Sequence, residues 1–173
     1  MEYVLIGIIM VLVAVWILSI RQRLFGMNEY LKEAMEQIDL QTSLLYDALT
    51  ALLEKMRVYD VQEAQMLTER ILAKRKTTEA VTAMQDVYEQ QVLVADAVRR
   101  VFVLEAQHPA ITGDAEYLSR RAVVEQRVNM VRTSRLLYND GVTRLNREVR
   151  SFPASLFARV MGIKQREPLE DTV

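Results

Sequence analysis

The sequence predicts an all-α fold: an N-terminal transmembrane helix followed by an antiparallel helical bundle of three long helices plus a short C-terminal helix. Three observations carry this. An uncharged apolar run extends from Tyr3 to Ile20, apolar residues recur at heptad spacing after it, and the 173 residues include only 5 Gly and 3 Pro. Few breakers and much periodicity favour long helices over sheets joined by tight turns.

The first element, YVLIGIIMVLVAVWILSI, spans roughly 27 Å at about 1.5 Å per residue, close to the hydrocarbon thickness of a bilayer. A core helix of a small soluble domain would keep a polar face, and this run has none. A cleaved signal peptide would carry positive charge before the run and small residues at its end. Here Glu2 precedes it and Ser19-Ile20-Arg21 follows, which reads as an uncleaved anchor. Tyr3, Trp16 and Ile20 mark the span, Trp16 serving either as an interfacial anchor or as plain apolar surface. Arg21 and Arg23 follow the run, and the positive-inside bias then puts the N-terminus outside and the helical domain in the cytoplasm. Residues 21–26 read as a juxtamembrane linker and 27–163 as the bundle.

Within the bundle, Leu31, Met35, Ile38, Thr42, Leu45, Leu49, Leu52, Met56 and Tyr59 alternate steps of four and three, a seam that needs partner helices. Asp60 with Glu63 three residues later reads as an N-cap and its reciprocal carboxylate, ending the first helix near Tyr59. A second helix runs from Val61 to Gln107, with Met84, Tyr88, Val92, Ala95, Val98 and Phe102 as its stripe. Its KRKTTE stretch, residues 74–79, reads as a solvated turn in preference to a bend or a contact surface. His108-Pro109 and Thr112-Gly113-Asp114 stop it. The third helix carries Leu118, Val124, Val128, Val131, Tyr138, Val142, Leu145 and Val149. A fourth covers Ala154 to Met161, either capping the bundle or touching lipid. The polar end, residues 164–173, reads as a flexible tail.

The pattern Ile38-Asp39-Leu40-Gln41, Tyr46-Asp47 and, above all, Tyr138-Asn139-Asp140, Val142, Asn146, Arg150-Ser151-Phe152-Pro153, Leu156, Ala158 and Gly162 resembles the LemA family. The resemblance extends over essentially the whole chain and implies a protein of the bacterial inner membrane, anchored by one helix and carrying an α-helical bundle. The chain departs from the family pattern at Thr42-Ser43-Leu44-Leu45, at Leu49-Thr50-Ala51 and at His108. Leu44 and Leu45 cannot supply the positive charge relatives have there.

Catalytic chemistry finds little footing. There is no Cys, the one His adjoins Pro109 at a helix end, and the five glycines are scattered, so no nucleophile triad, thiolate metal site or phosphate loop can be drawn. A di-iron site built on Asp39, Asp47 and Glu125 would need Glu-x-x-His motifs, and none is present. The expectation is a non-enzyme with no cofactor, no metal and no small-molecule substrate. A net charge of -1 argues against nucleic acid, and the basic groups at Arg99-Arg100, Arg120-Arg121 and Lys74-Arg75-Lys76 are too small alone for lipid headgroups.

Asp39, Asp47, Arg135, Tyr138, Asn139, Asp140 and Asn146 lie on or beside the apolar stripes. They read first as a buried polar network that sets helix register. The other reading is a groove for a peptide or transmembrane partner, anchored by Tyr138 and Arg135. The expected role is a membrane-tethered scaffold or interaction module acting on membrane or envelope proteins. The alternative is a self-assembling protein that organises or bends the membrane through the seam beginning at Leu31.

Overall fold

A computed structural model describes residues 2–78 and 84–169, with side chains from 3–73 and 92–169. Among these residues the chain is all-α: α1 (Glu2–Met56), α2 (Val61–Thr78), α3 (Met84–Gln107), a 3₁₀ turn (Pro109–Gly113), α4 (Ala115–Arg150) and α5 (Ala154–Val160). The KRKTTE stretch and the stripe residues Met84 and Tyr88 lie outside the described side chains. Two compact units form, Met1–Glu36 with Leu136–Pro168, and Gln37–Arg135 with Leu169–Val173.

In the first unit α1 runs unbroken through residues 21–26, so the expected linker is helix. The reason is packing: Leu24 is fully buried against Ala154 and Ala158 of α5, with Ile20, Val149 and Phe157 around them. Above this cluster the apolar run is bare, Tyr3 being 89% and Trp16 52% exposed. This helix is long and apolar enough to cross a membrane. Below it, Leu31, Tyr138, Val142 and Leu145 are buried. Gly141 permits the close approach of α4, since a Cβ there would lie 2.8 Å from side-chain atoms of both Leu31 and Tyr30. The end of α5 is a Schellman cap. Gly162 takes a positive φ, and the N–H groups of Gly162 and Ile163 donate to the carbonyls of Arg159 and Ala158.

The second unit holds the larger core, built from Leu45, Leu49, Leu52, Leu53 and Met56 of α1, Leu67 and Ile71 of α2, Val94 and Val101 of α3, and Val124 and Val131 of α4. The α1 seam is therefore where its spacing predicts. The α3 stripe is not: Val92 and Phe102 are 46% and 40% exposed, while Val94, Ala97, Val101 and Leu104 are buried. Two neighbouring apolar faces compete on that helix, and spacing alone does not rank them. On α4 the seam begins at Tyr117, fully buried, and not at Leu118, 42% exposed.

Asp60 does cap α2, its Oδ1 accepting from the Glu63 N–H at 3.0 Å. Glu63 does not reciprocate. Its carboxylate pairs with Arg100 at 2.9 Å, tying the start of α2 to the end of α3 as an antiparallel pair. Asp114 caps α4 by accepting from the Glu116 and Tyr117 N–H groups. Glu116 ion-pairs with Lys55 of α1 and with Arg120. Lys55 first and Arg120 second hold its carboxyl below the usual carboxylate range.

Candidate functional site

The seven polar candidates fall into different environments. In the second unit Arg135 occupies a seam position of α4 and is 1% exposed, Asp39 is half-buried and Asp47 exposed. In the first, Tyr138 is fully buried, Asn139 and Asn146 half-buried, and Asp140 exposed. Asp39, Asp47, Arg135 and Asn139 each make a polar or electrostatic interaction. Asp140 faces water with Arg144, its partner at 2.8 Å one turn on. Asp47 and Asp140, expected on or beside the apolar stripes, are exposed on their helices.

Asn146 does something the sequence did not suggest. Its amide donates to the Arg166 carbonyl at 2.8 Å and accepts from the Arg166 N–H at 2.9 Å, so one side chain satisfies both backbone groups of the tail. The Arg166 guanidinium reaches Asn28 of α1 at 2.9 Å, and Arg150 donates to Gln165 at 2.8 Å. Residues 165–166 are thus fastened, not flexible as their polarity suggested. Composition cannot reveal a tail whose hydrogen bonds lie 20 residues away. Asn146→Ala is expected to free residues 164–168 for proteolysis and fast amide exchange and to destabilise the fold by about 1–3 kcal/mol, because two half-buried backbone groups lose their partner. Unchanged exchange at Arg166 would show that the tail is held elsewhere.

A polar groove runs along the second unit between α1 and α4, with a volume of about 650 Å³. Gln37 and Gln41 line one wall; Gln126, Asn129, Thr133 and Ser134 line the other. The Gln41 Oε1 is buried in it with no protein partner among the described residues. Its signal was legible, since Ala122, Gln126, Asn129 and Thr133 recur at i, i+4, i+7 and i+11, small or uncharged beside the seam. Glu125 also lines the groove, its carboxylate 3.3 Å from Arg121; the amides and hydroxyls around it suit hydrogen bonding to a peptide.

Two buried phenols add a titratable feature. Burial pushes Tyr46 up to about 12, and burial followed by the charge of Glu105, which accepts from the Tyr117 hydroxyl at 3.2 Å, pushes Tyr117 up to about 12. The unfolded chain ionises these groups near pH 10 and the folded chain does not, so the unfolded state binds fewer protons and stability falls as pH rises from 10 toward 12. The Tyr46 hydroxyl has no hydrogen-bond partner among the described residues. Tyr46→Phe is therefore expected to raise stability at pH 7 by about 1 kcal/mol and to flatten the alkaline decline. Denaturation at pH 7 and pH 11 checks both, and a destabilised variant at pH 7 would show that the hydroxyl is satisfied.

Among the described residues no group of three His, Asp or Glu side chains converges on a point where a metal ion could be held. Compared with family models, residues 34–172 match the LemA family. None of the curated proteins compared with the chain matches it.

Proposed function

From its membership of the LemA family, to which a match over most of its length shows the chain to belong, we propose that it is a membrane-anchored, non-enzymatic interaction module of the bacterial inner membrane. The bare apolar run holds it in the bilayer. Its polar groove takes an extended segment of another membrane or envelope protein. The observation that carries this is the groove itself: amides and hydroxyls with a single carboxylate, Glu125, and the Gln41 Oε1 buried without a protein partner among the described residues, an acceptor suited to a backbone N–H. Support for the anchor comes from the run's exposure and from the helical continuity of α1 into the packed Leu24 cluster. Arg21 and Arg23 favour the cytoplasmic side for the helical domain, and a reporter fused after Val173 reads that side directly.

The second reading, self-assembly, draws on the exposed Val92, Phe102 and Val103 of α3. Photo-crosslinking residues placed at Gln126 and Thr133 in cells separate the two. The proposal expects adducts with a different membrane protein from both positions and none from Arg144, whose side chain is exposed outside the groove. Adducts with a second copy of the chain alone would replace it with self-assembly.

A further inference from the structure

Leu156 and Val160, one turn apart on the same face of α5, are 56% and 87% exposed, and Phe152, in the turn that leads into the helix, is 82% exposed. The opposite face carries Ala154 and Ala158, packed on Leu24 of α1 beside Ile20. Large apolar groups turned outward are the inverse of what a helix facing water presents.

The height of α5 along α1 follows from α4. Gly141 lies against Tyr30 and Leu31, and Glu148 pairs with Arg23 at 3.4 Å. Moving seven residues up α4, from 141 to 148, thus moves seven residues back along α1, from 30 to 23. Two residues further, Arg150 comes level with Arg21, one residue past the end of the apolar run at Ile20. The turn carrying Phe152 therefore begins where α1 enters hydrocarbon. There the run itself is bare, Val15, Trp16 and Leu18 being 56%, 52% and 53% exposed.

We propose that α5 is a second membrane contact: Phe152, Leu156 and Val160 insert into the lipid boundary and set the depth and tilt at which the first unit stands on the bilayer. This rests on the reading of the apolar run as a membrane anchor. Lipid is the occupant because the stripe is continuous with the surface lipid already covers. The flanking charge agrees. Arg21, Arg23, Arg150, Arg159 and Lys164 are exposed at this end of the unit, within the number of clustered basic groups that binds anionic headgroups. An interfacial helix of this kind buries its apolar face about 5–10 Å into the headgroup and acyl boundary.

The chain contains no cysteine, so single spin labels can be placed without removing any residue. Full-length Leu156→Cys and Val160→Cys, with Leu12→Cys and Arg144→Cys as references, are labelled and reconstituted in phosphatidylethanolamine and phosphatidylglycerol vesicles. The expected result is that labels at 156 and 160 collide with oxygen several-fold more than with a water-soluble nickel chelate, as at 12, while 144 shows the reverse. Labels at 156 and 160 that match 144, with 12 still in lipid, overturn the interfacial helix and leave the anchor standing. A label at 12 that is itself accessible to the chelate overturns both. Dipolar broadening between labels at 156 or 160, without oxygen collision, would mean that a second copy covers the stripe and would also overturn the proposal.

Discussion

Replacing Arg135 by methionine is expected to destabilise the folded chain by about 3–5 kcal/mol, the usual consequence of removing one member of a buried charged interaction. Arg135 sits on the α4 seam between Val131 and Tyr138 and is 1% exposed. A guanidinium cannot shed its proton to escape burial, and this one is engaged in a polar or electrostatic interaction. Methionine fills much of the same space, so the loss measured is electrostatic more than steric. Arg135→Lys is expected to fall between the two, since a lysine keeps the charge but not the planar fork. Denaturant titration of the full chain in detergent reads the effect as a fall in midpoint at constant slope. A midpoint unchanged in Arg135→Met would mean that the charge is already hydrated, and Arg135 would then belong to a binding surface instead of the frame.

Leu52→Ala is expected to destabilise the second unit by about 2–5 kcal/mol, the range for a leucine removed from a packed core. Leu52 is fully buried in the cluster with Leu49, Leu53, Met56, Leu67 and Ile71. Leu40 offers the control on the same helix, because it is 53% exposed and falls off the seam. Leu40→Ala is expected to shift stability by no more than about 0.5 kcal/mol. Helix propensity changes equally in both variants, so their difference reports burial alone. Equal effects would show that the α1 seam faces another way.

Sequence alone determined the fold class and most element ends, because those depend on neighbours within a few residues. The uncharged run through Ile20, the seam from Leu31 to Met56, the caps at Asp60 and Asp114 and the stop at Ser151-Phe152-Pro153 all act over one or two turns. The family was legible for the same reason, as an ordered string of residues in α4 and α5.

The candidate site was legible only in part. Tyr138 and Arg135 are buried and continue the three-and-four spacing of α4, which is the part of the site that periodicity reveals. Asp47 on α1 and Asp140 on α4 each lie two residues from the seam positions on either side, Leu45 and Leu49 or Tyr138 and Val142, and are exposed, since two residues along a helix turn a side chain by about 200°.

Tertiary structure decided what periodicity leaves degenerate or what distance hides. On α3 two adjacent apolar faces satisfy the helical period, and packing buried Val101 while leaving Phe102 40% exposed. At residues 21–26 the polar Arg21-Gln22-Arg23 resembles a linker, yet burying Leu24 against Ala154 and Ala158 keeps the helix whole. The polar end looked mobile because nothing within a turn of Arg166 can pair with its backbone. Asn146, 20 residues back along the chain, does so because the Schellman cap at Gly162 turns the chain back beside α4.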